Sequence, residues 1–572
     1  MSDILNNEPD QNNRPIGYVV GGGLKENLRV RLSGSPQAVQ EGAFVVIDSN
    51  TWRFYGLVTD LQLGATDPRF ADEQSEGRLS PDIAKLLVGQ TLYTNAEVMP
   101  QLMMDMGPEL DSPEYPEWIK SHLDQNPKPL SVKTIPAHHA LVRMADAGDI
   151  EEIFGKSDDE GNFIIGYTRE QNHPLCINLD KMIQRSSGIF GATGTGKSFL
   201  TRIILAGLIK RDKASILVFD MHNEYGLDDT ASDTGEEVKG LRTRFGTGVQ
   251  VVGLGKGTTI RGQTPDYHLE ITESDILPED IELLTKELNL KETTPTTLEA
   301  LMQTFGKNWF HEFKHMNNQG RIKGEDGKSI PAPGSVDEWA SNVGVNVMAA
   351  QGLHDKLRKV FDRSYVVEST AKDTLQEIII SLQKGKHVIL SFGDFDSDLD
   401  YLLVTNLITR RIRDAWEKQT DEFRAKRTTE PRPLTIVLEE AHKLLNREMA
   451  SQTTFSTIAR ELRKYYVTLL IVDQRPSQIY DEVMSQLGTR VTGWLGDDSD
   501  IASVLSGLAA KDSLRGMLAR LQPKEEVLIL GWSMPMPMLV RTRRYDDKFW
   551  KEMGVKDNLK TVDDYRKALG IA

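Results

Sequence analysis

Gly188-Ile189-Phe190-Gly191-Ala192-Thr193-Gly194-Thr195-Gly196-Lys197-Ser198 is the stretch on which the fold turns. From Gly191 to Ser198 it fits G-x-x-x-x-G-K-[ST], in which glycines let backbone N–H groups curl around phosphates at the positive end of the next helix. Lys197 would reach the β- and γ-phosphates of a nucleotide, and the Ser198 hydroxyl would ligate Mg²⁺. The context is the one the motif needs: GIF leads in, and KSFLTRIILAGLIKR (197–211) follows as a helix with apolar residues on one face. SILVFD (215–220) then reads as a buried strand. Strand, loop, helix and strand at this spacing predict a βαβ unit and a parallel sheet. VQVVGL (249–254), HVILSF (387–392), LTIVLE (434–439), TLLIVD (468–473) and EVLILGW (526–532) read as further strands.

Hydrolysis at such a loop also needs carboxylates from a second strand. ILVFD ends in Asp220 and TIVLEE ends in Glu439-Glu440. The adjacent pair fits better: Glu439 to hold the Mg²⁺ shell through water, and Glu440 to orient and polarise the attacking water. The bland alternative is a solvated helix start after a buried strand. TLLIVD runs into Gln474, a polar tip suited to sensing the γ-phosphate, although turn residues are often polar. Charge on a transferred phosphoryl group also requires cations. Arg460 and Arg463, in the predicted helix IARELRKYY, and Arg185, before the loop strand, are candidates. Each reads equally well as an exposed helix charge. ATP is favoured over GTP because no N-K-x-D motif appears.

The 572 residues are 39% hydrophobic and 27% charged, ordinary globular usage that excludes collagen-like or wholly disordered chains. The single cysteine, Cys176, excludes an internal disulfide and favours a reducing, cytoplasmic setting. The stretch MSDILNNEPDQNNRP lacks the basic flank and apolar run of a secretion signal, so secretion is not expected. The longest uncharged apolar run, 527–540, is broken by Gly531, Pro535 and Pro537 and falls short of the about 20 residues a spanning helix needs, so no membrane is expected. A net charge of −16 has the wrong sign for coating nucleic acid and confines any phosphate-backbone contact to a local patch or shielded channel.

Residues 1–13 read as a disordered tail and 14–150 as a small β-barrel. IGYVV, NLRVRL, AFVVID, WRFYGLVTDLQL, TLYTNAEV (91–98) and LSVKTI (130–135) are its strands, and 105–129 is an exposed excursion. Residues 151–545 carry the α/β core. A helical insertion at about 270–384 includes ILPEDIELLTKELNL and LHDKLRKVFD as helices and GRIKGEDGKSIPAPG as a loop. Residues 546–572 form a C-terminal extension. His311-Glu312-Phe313-Lys314-His315 is a literal H-E-x-x-H, but no clear third zinc ligand follows, Glu338 being the nearest acid, so a solvated amphipathic helix is favoured.

GIFGATGTGKS with Arg185 upstream, FDMHNEYG (219–226), LEEAHKLL, ARELRKYY and VDQRPSQI together closely resemble HerA, a hexameric DNA translocase of the FtsK–HerA group. The resemblance implies an N-terminal β-barrel, a RecA-like P-loop NTPase core with a helical insertion, and a C-terminal extension bracing the neighbouring subunit. It implies a homohexamer that hydrolyses ATP with Mg²⁺ at subunit interfaces and moves duplex DNA through a basic pore. Lys197 and Ser198 match the family's phosphate loop, and Gln474 its sensor. Glu439 and Glu440 match its Asp-Glu pair with the first residue altered. Arg185 and Arg463 match arginines that reach the site, Arg463 from the next subunit, with Arg460 as companion. Partners implied are a NurA-type nuclease, or a sirtuin-like NAD hydrolase or other nuclease in antiviral defence. The alternative function is an ATP-dependent scaffold for such an effector, with little productive translocation.

Overall fold

The computed structural model describes residues 15–66, 92–108, 111–122, 128–230, 235–318, 320–323, 329–449, 462–508 and 511–555. The expected tail, 1–13, and Arg460 lie outside them. Two compact units divide the chain: Met1–Met182, Phe190–Lys197 and Gly488–Arg543 form the first, and Ile183–Ile189, Ser198–Leu487 and Arg544–Ala572 the second.

The first unit opens with antiparallel strands β1 (Pro15–Gly23), β2 (Glu26–Leu32), β3 (Phe44–Ser49), β4 (Trp52–Ala65), β5 (Leu92–Asp105), β6 (Leu130–Ser131) and β7 (Leu141–Met144). Their order is β2-β1-β7-β3-β4-β5-β6, and β5 also pairs with β2 through Leu28↔Val98, so the sheet closes into a barrel. Alternation places Val19, Val30, Val45, Ile47, Phe54, Val58, Val98 and Val142 in its core. Closure leaves no long open edge. Two register shifts, at Tyr55/Gly56 and Val58/Asp60, let the long β4 bend around that core. Only Leu130–Ser131 of the expected strand 130–135 forms, because the chain runs into Pro136 with Ile135 exposed. The strand between β1 and β3 is the short β7 instead. Within the excursion at 105–129, Tyr115–His122 is helical. Beyond the barrel, β8 (Asn162–Tyr167) and β9 (Pro174–Asn178) form an antiparallel hairpin.

The second unit contains β10 (Ser187–Phe190, through Ile189), helix α1 (Lys197–Arg211), β11 (Ser215–Asp220), β12 (Val249–Leu254), β13 (Tyr267–Leu269), β14 (His387–Ser391), β15 (Leu434–Glu439) and β16 (Val467–Asp473). The strand order is β13-β12-β14-β11-β15-β16-β10. The pairs β12–β13, β12–β14, β11–β14, β11–β15 and β15–β16 are parallel. Every residue of β11, β14, β15 and β16 is buried, which is why these strands read as unbroken apolar runs rather than alternating ones. The molecule is thus an α/β P-loop core preceded by a β-barrel.

Between β13 and β14 lie α2 (Thr294–Phe305), α3 (Trp309–His315), α4 (Val336–Val343), α5 (Val347–Phe361) and α6 (Thr374–Gln383). Trp309, Phe310, Phe313, Leu357 and Phe361 are buried there. In ILPEDIELLTKELNL only Pro278–Glu282 is α-helical; tight turns follow, and Asn289 adopts a positive φ of 50° that ends the run. The expected loop 320–334 carries a short hairpin, Arg321–Lys323 against Ser329–Pro331, paired through Ile322↔Ile330. After β14, the long α7 (Asp398–Arg424) lays Tyr401, Leu403, Leu407, Ile408 and Trp416 into the unit's core. The described part of the C-terminal extension, α8 (Asp547–Met553), packs on its own unit: Phe549, Trp550 and Met553 are buried, and Asp547 pairs with Arg244 at 3.0 Å.

Strands β17 (Thr489–Thr492), β18 (Glu526–Gly531) and β19 (Met538–Thr542) return to the first unit, where the order is β17-β18-β19-β8-β9. All these pairings are antiparallel, so EVLILGW forms a strand of an antiparallel ladder rather than of the expected parallel one. Among the described residues no helix is long and apolar enough to cross a membrane.

Candidate active site

The phosphate loop leaves β10 at Gly191 and ends where α1 begins at Lys197. Gly194 and Gly196 have φ of 77° and 84°, values that residues with a side chain rarely adopt. A Cβ on Gly191 would stand 2.6 Å from Thr195 Oγ. The curl is held from inside, with the Thr195 hydroxyl donating to the Ala192 carbonyl at 2.7 Å. It is also held by first-unit backbone, with Ala192 N–H donating to Trp494 O at 3.0 Å and Lys524 N–H to Thr195 O at 3.1 Å. Thr193 and Gly194 are exposed at the tip, while Lys197 and Ser198 are half-buried in the first helical turn.

In the second unit, the ends of β11, β15 and β16 gather a cluster of acids. Glu439 is buried. Its Oε1 accepts the Tyr225 hydroxyl at 2.7 Å, its Oε2 accepts Met221 N–H at 3.1 Å, and its backbone carbonyl accepts the Tyr401 hydroxyl of α7 at 2.6 Å. Burial, with Asp220 and Glu224 nearby, holds the Glu439 carboxyl well above the usual carboxylate range. Asp220 is wholly buried and closes the 220–225 turn by accepting Glu224 N–H at 2.7 Å and Tyr225 N–H at 3.0 Å; burial raises its carboxyl too. Arg202, on α1, donates to the Glu224 carbonyl of the same turn.

Glu440 differs from its neighbour. It is half-buried and has a φ of 45°, a left-handed conformation costing a residue with a side chain about 1–3 kcal/mol. Gln474 Nε2 donates to both its carboxylate oxygens, at 3.3 and 3.2 Å, so the tips of β15 and β16 meet as a carboxylate and an amide. His222 Nε2 stands 4.0 Å from Glu440 Oε1, and His442 Nδ1 3.5 Å from Oε2.

Glu440, His442 and Asp473 bring three donor atoms within 4.8 Å of one another. His442 is committed to Asp473, its Nδ1 3.0 Å from Asp473 Oδ2, and Mg²⁺ takes oxygens rather than imidazole. Glu439 and Glu440 supply hard oxygens. Each Glu439 oxygen takes one protein hydrogen bond and keeps a second acceptor site, so the donor set suits Mg²⁺.

Of the arginine candidates, Arg185 and Arg463 lie within the described residues. Arg185 is half-buried, and its carbonyl accepts the Ser187 hydroxyl at 3.3 Å. Arg463 is exposed in a single 3₁₀ turn just before β16. In the H-E-x-x-H segment, His311 Nδ1 and Lys314 Nζ both bind the buried Glu273, at 2.7 and 2.6 Å, while His315 Nδ1 faces its own helix at His311 O, 2.9 Å away. Burial alone would raise the Glu273 carboxyl, but these two partners hold it below its ordinary value. Glu338 accepts Gly334 N–H at 2.7 Å.

Sequence reasoning missed Tyr225, Tyr401, His442 and Asp473 as parts of this site. The only signal for the last was that the apolar run of β16 stops on a charged residue.

Residues 163–412 match the family described as Helicase HerA, central domain. Over those residues the chain is similar to HerA helicases. It is 24% identical over 562 residues to the DNA double-strand break repair helicase HerA of Sulfurisphaera tokodaii, covering 97% of each chain. It is also 24% identical over 537 residues to the protein of the same name from Saccharolobus solfataricus, covering 93% of each. Among solved structures, VirB4 of Thermoanaerobacter pseudethanolicus aligns at 13% identity and a TM-score of 0.41, over 68% of this chain and 97% of that one.

Proposed function

We propose that this chain is the subunit of a homohexameric motor that hydrolyses ATP and draws duplex DNA through its pore. The observation that carries the reading is a strand order: β16, ending in Asp473-Gln474, runs between β10, which leads into the phosphate loop, and β15, which ends in Glu439-Glu440. That order sets the Glu440 carboxylate and the Gln474 amide side by side, which supports reading the first as the water-polarising group and the second as the sensor.

In this reading Lys197 faces the β- and γ-phosphates, and Ser198 and Glu439 would hold Mg²⁺, which when bound with ATP draws charge from the phosphates. Glu440 takes a proton from the attacking water, Gln474 registers the γ-phosphate, and Arg185 offsets charge in its own subunit. Arg463, exposed on the second unit, reaches the ATP of the next subunit, with Arg460 as its companion in that role. The C-terminal extension, 546–572, braces that neighbour. A ring with a basic pore accommodates the −16 net charge, which then lies on the exterior. The motor works in the cytoplasm and powers or regulates a partner effector, a nuclease or NAD hydrolase, in end processing or antiviral defence.

Steady-state ATPase measurements test the chemistry. Lys197→Ala abolishes turnover and weakens nucleotide binding, whereas Glu440→Gln binds ATP without cleaving it, because an amide cannot accept the water's proton. Equal turnover by wild type and Glu440→Gln would refute the assignment.

A further inference from the structure

Asp473 is buried with no exposed surface, yet it lies at the end of an apolar strand and touches neither the phosphate-loop motif nor a basic side chain other than His442 in the described hydrogen bonds. Its two oxygens are spent on backbone. Oδ2 accepts the N–H of His442 at 2.7 Å, and Oδ1 accepts the N–H of Arg475 at 2.7 Å, an Asx turn that folds the chain back just beyond Gln474. One carboxylate therefore ties down two turns on neighbouring parallel strands. The first begins at Glu440 in its left-handed conformation and is closed by Lys443 N–H to Glu440 O at 2.9 Å. The second presents Gln474, whose amide grips both Glu440 oxygens. The His442 ring completes the arrangement, standing between Asp473 at 3.0 Å and Glu440 at 3.5 Å and separating two carboxylates that would otherwise repel.

From this geometry we infer that Asp473 is a positioning residue, a clamp that holds Glu440 in its strained conformation and in register with Gln474. The inference rests on the reading of Glu440 as the water-polarising group. An unclamped left-handed glutamate relaxes toward ordinary backbone angles, and its carboxylate swings away from the amide. Asp473 itself touches no reacting atom. Its effect appears in the rate of cleavage and in the energetic link between Glu440 and Gln474, not in nucleotide affinity.

The test is a double-mutant cycle on the full chain with Asp473→Asn and Gln474→Ala, reading turnover and the dissociation constant of a fluorescent ATP analogue. Asn keeps the volume and one acceptor oxygen but cannot serve both N–H groups. Asp473→Asn lowers turnover about tenfold or more with analogue affinity within about threefold of wild type. Gln474→Ala, costly in the wild-type background, then costs less than about twofold in the Asp473→Asn background, because the register it relied on is already lost. If Asp473→Asn does not fold, the same cycle is run with Asp473→Ser, whose single oxygen on a shorter side chain cannot serve both the His442 and the Arg475 N–H. Full turnover by Asp473→Asn, or an undiminished Gln474→Ala effect in either background, overturns the clamp. Glu440→Gln separates the two readings: inactive Glu440→Gln with fully active Asp473→Asn rejects the clamp alone, whereas active Glu440→Gln rejects the assignment of Glu440 beneath it.

Discussion

Removing the Tyr225 hydroxyl takes away one of the two donors serving the buried Glu439 carboxylate. In Tyr225→Phe the ring still fills its site, so the loss is confined to the 2.7 Å hydrogen bond; Oε2 keeps Met221 N–H, and Oε1 is left with no donor among the described contacts. A hydrogen bond to the ionised form of Glu439 contributes roughly 1.5–3 kcal/mol, so at pH values where that form is populated the second unit loses about 2 kcal/mol, a shift of about thirtyfold in its folding equilibrium. The loss depends on pH with a definite sign. Burial, reinforced by Asp220 and Glu224, already raises the Glu439 carboxyl above its unfolded value. A raised acid favours the fold below the unfolded value, about pH 4.5, and that contribution fades as pH rises through the folded one. Deleting the hydroxyl raises Glu439 further, so the penalty is larger at pH 8 than at pH 5. Hydrogen exchange of β15 and β16 amides across a urea series reads the second unit by itself, which matters in a chain of two units. Unchanged protection at pH 8, or a larger loss at pH 5, would refute the reasoning.

In the first unit, Arg169 holds the buried Glu526 through paired bonds of 2.6 and 2.5 Å, and Arg169→Ala, which strands that carboxylate, destabilises the unit by about 3 kcal/mol in urea unfolding. Burial holds His387 neutral down to a pKa of about 4. Between about pH 6.5 and 4 the unfolded chain therefore binds one more proton, stability falls by about 1.4 kcal/mol per pH unit, and His387→Phe removes that slope from a pH series of unfolding midpoints. If Arg463 serves the neighbour's ATP, Arg463→Ala and Lys197→Ala subunits, each inactive alone, recover partial ATPase activity in mixed rings, and no recovery in rings shown to be mixed places Arg463 elsewhere.

The parallel core was legible because β11, β15 and β16 are buried on both faces, and burial of that kind writes itself as SILVFD, LTIVLE and TLLIVD bounded by polar tips. Gly191 to Ser198 was legible because the phosphate loop is local chemistry. Contacts made across strands were not. Asp473 meets His442 only because β15 and β16 pair with Leu438 beside Ile471 and Glu439 beside Val472, a register no local pattern specifies. Tyr225 reaches Glu439 only after Asp220 has closed its turn. β7 escaped notice for a different reason: LVRM is short, its Leu141 faces solvent, and its place in the barrel comes from pairing with β1 and β3. EVLILGW read correctly as a strand, but apolar content carries no information about direction, and its partners proved antiparallel.

Displacement of a fluorescent third strand from duplex DNA tests the central claim most directly, since it reports ATP-driven movement along the double helix rather than nucleotide turnover alone. Wild-type protein with ATP and Mg²⁺ is expected to release the third strand, while Lys197→Ala and Glu440→Gln leave it bound. No release by wild-type rings that bind the duplex and hydrolyse ATP, or release by Glu440→Gln equal to wild type, would contradict the account.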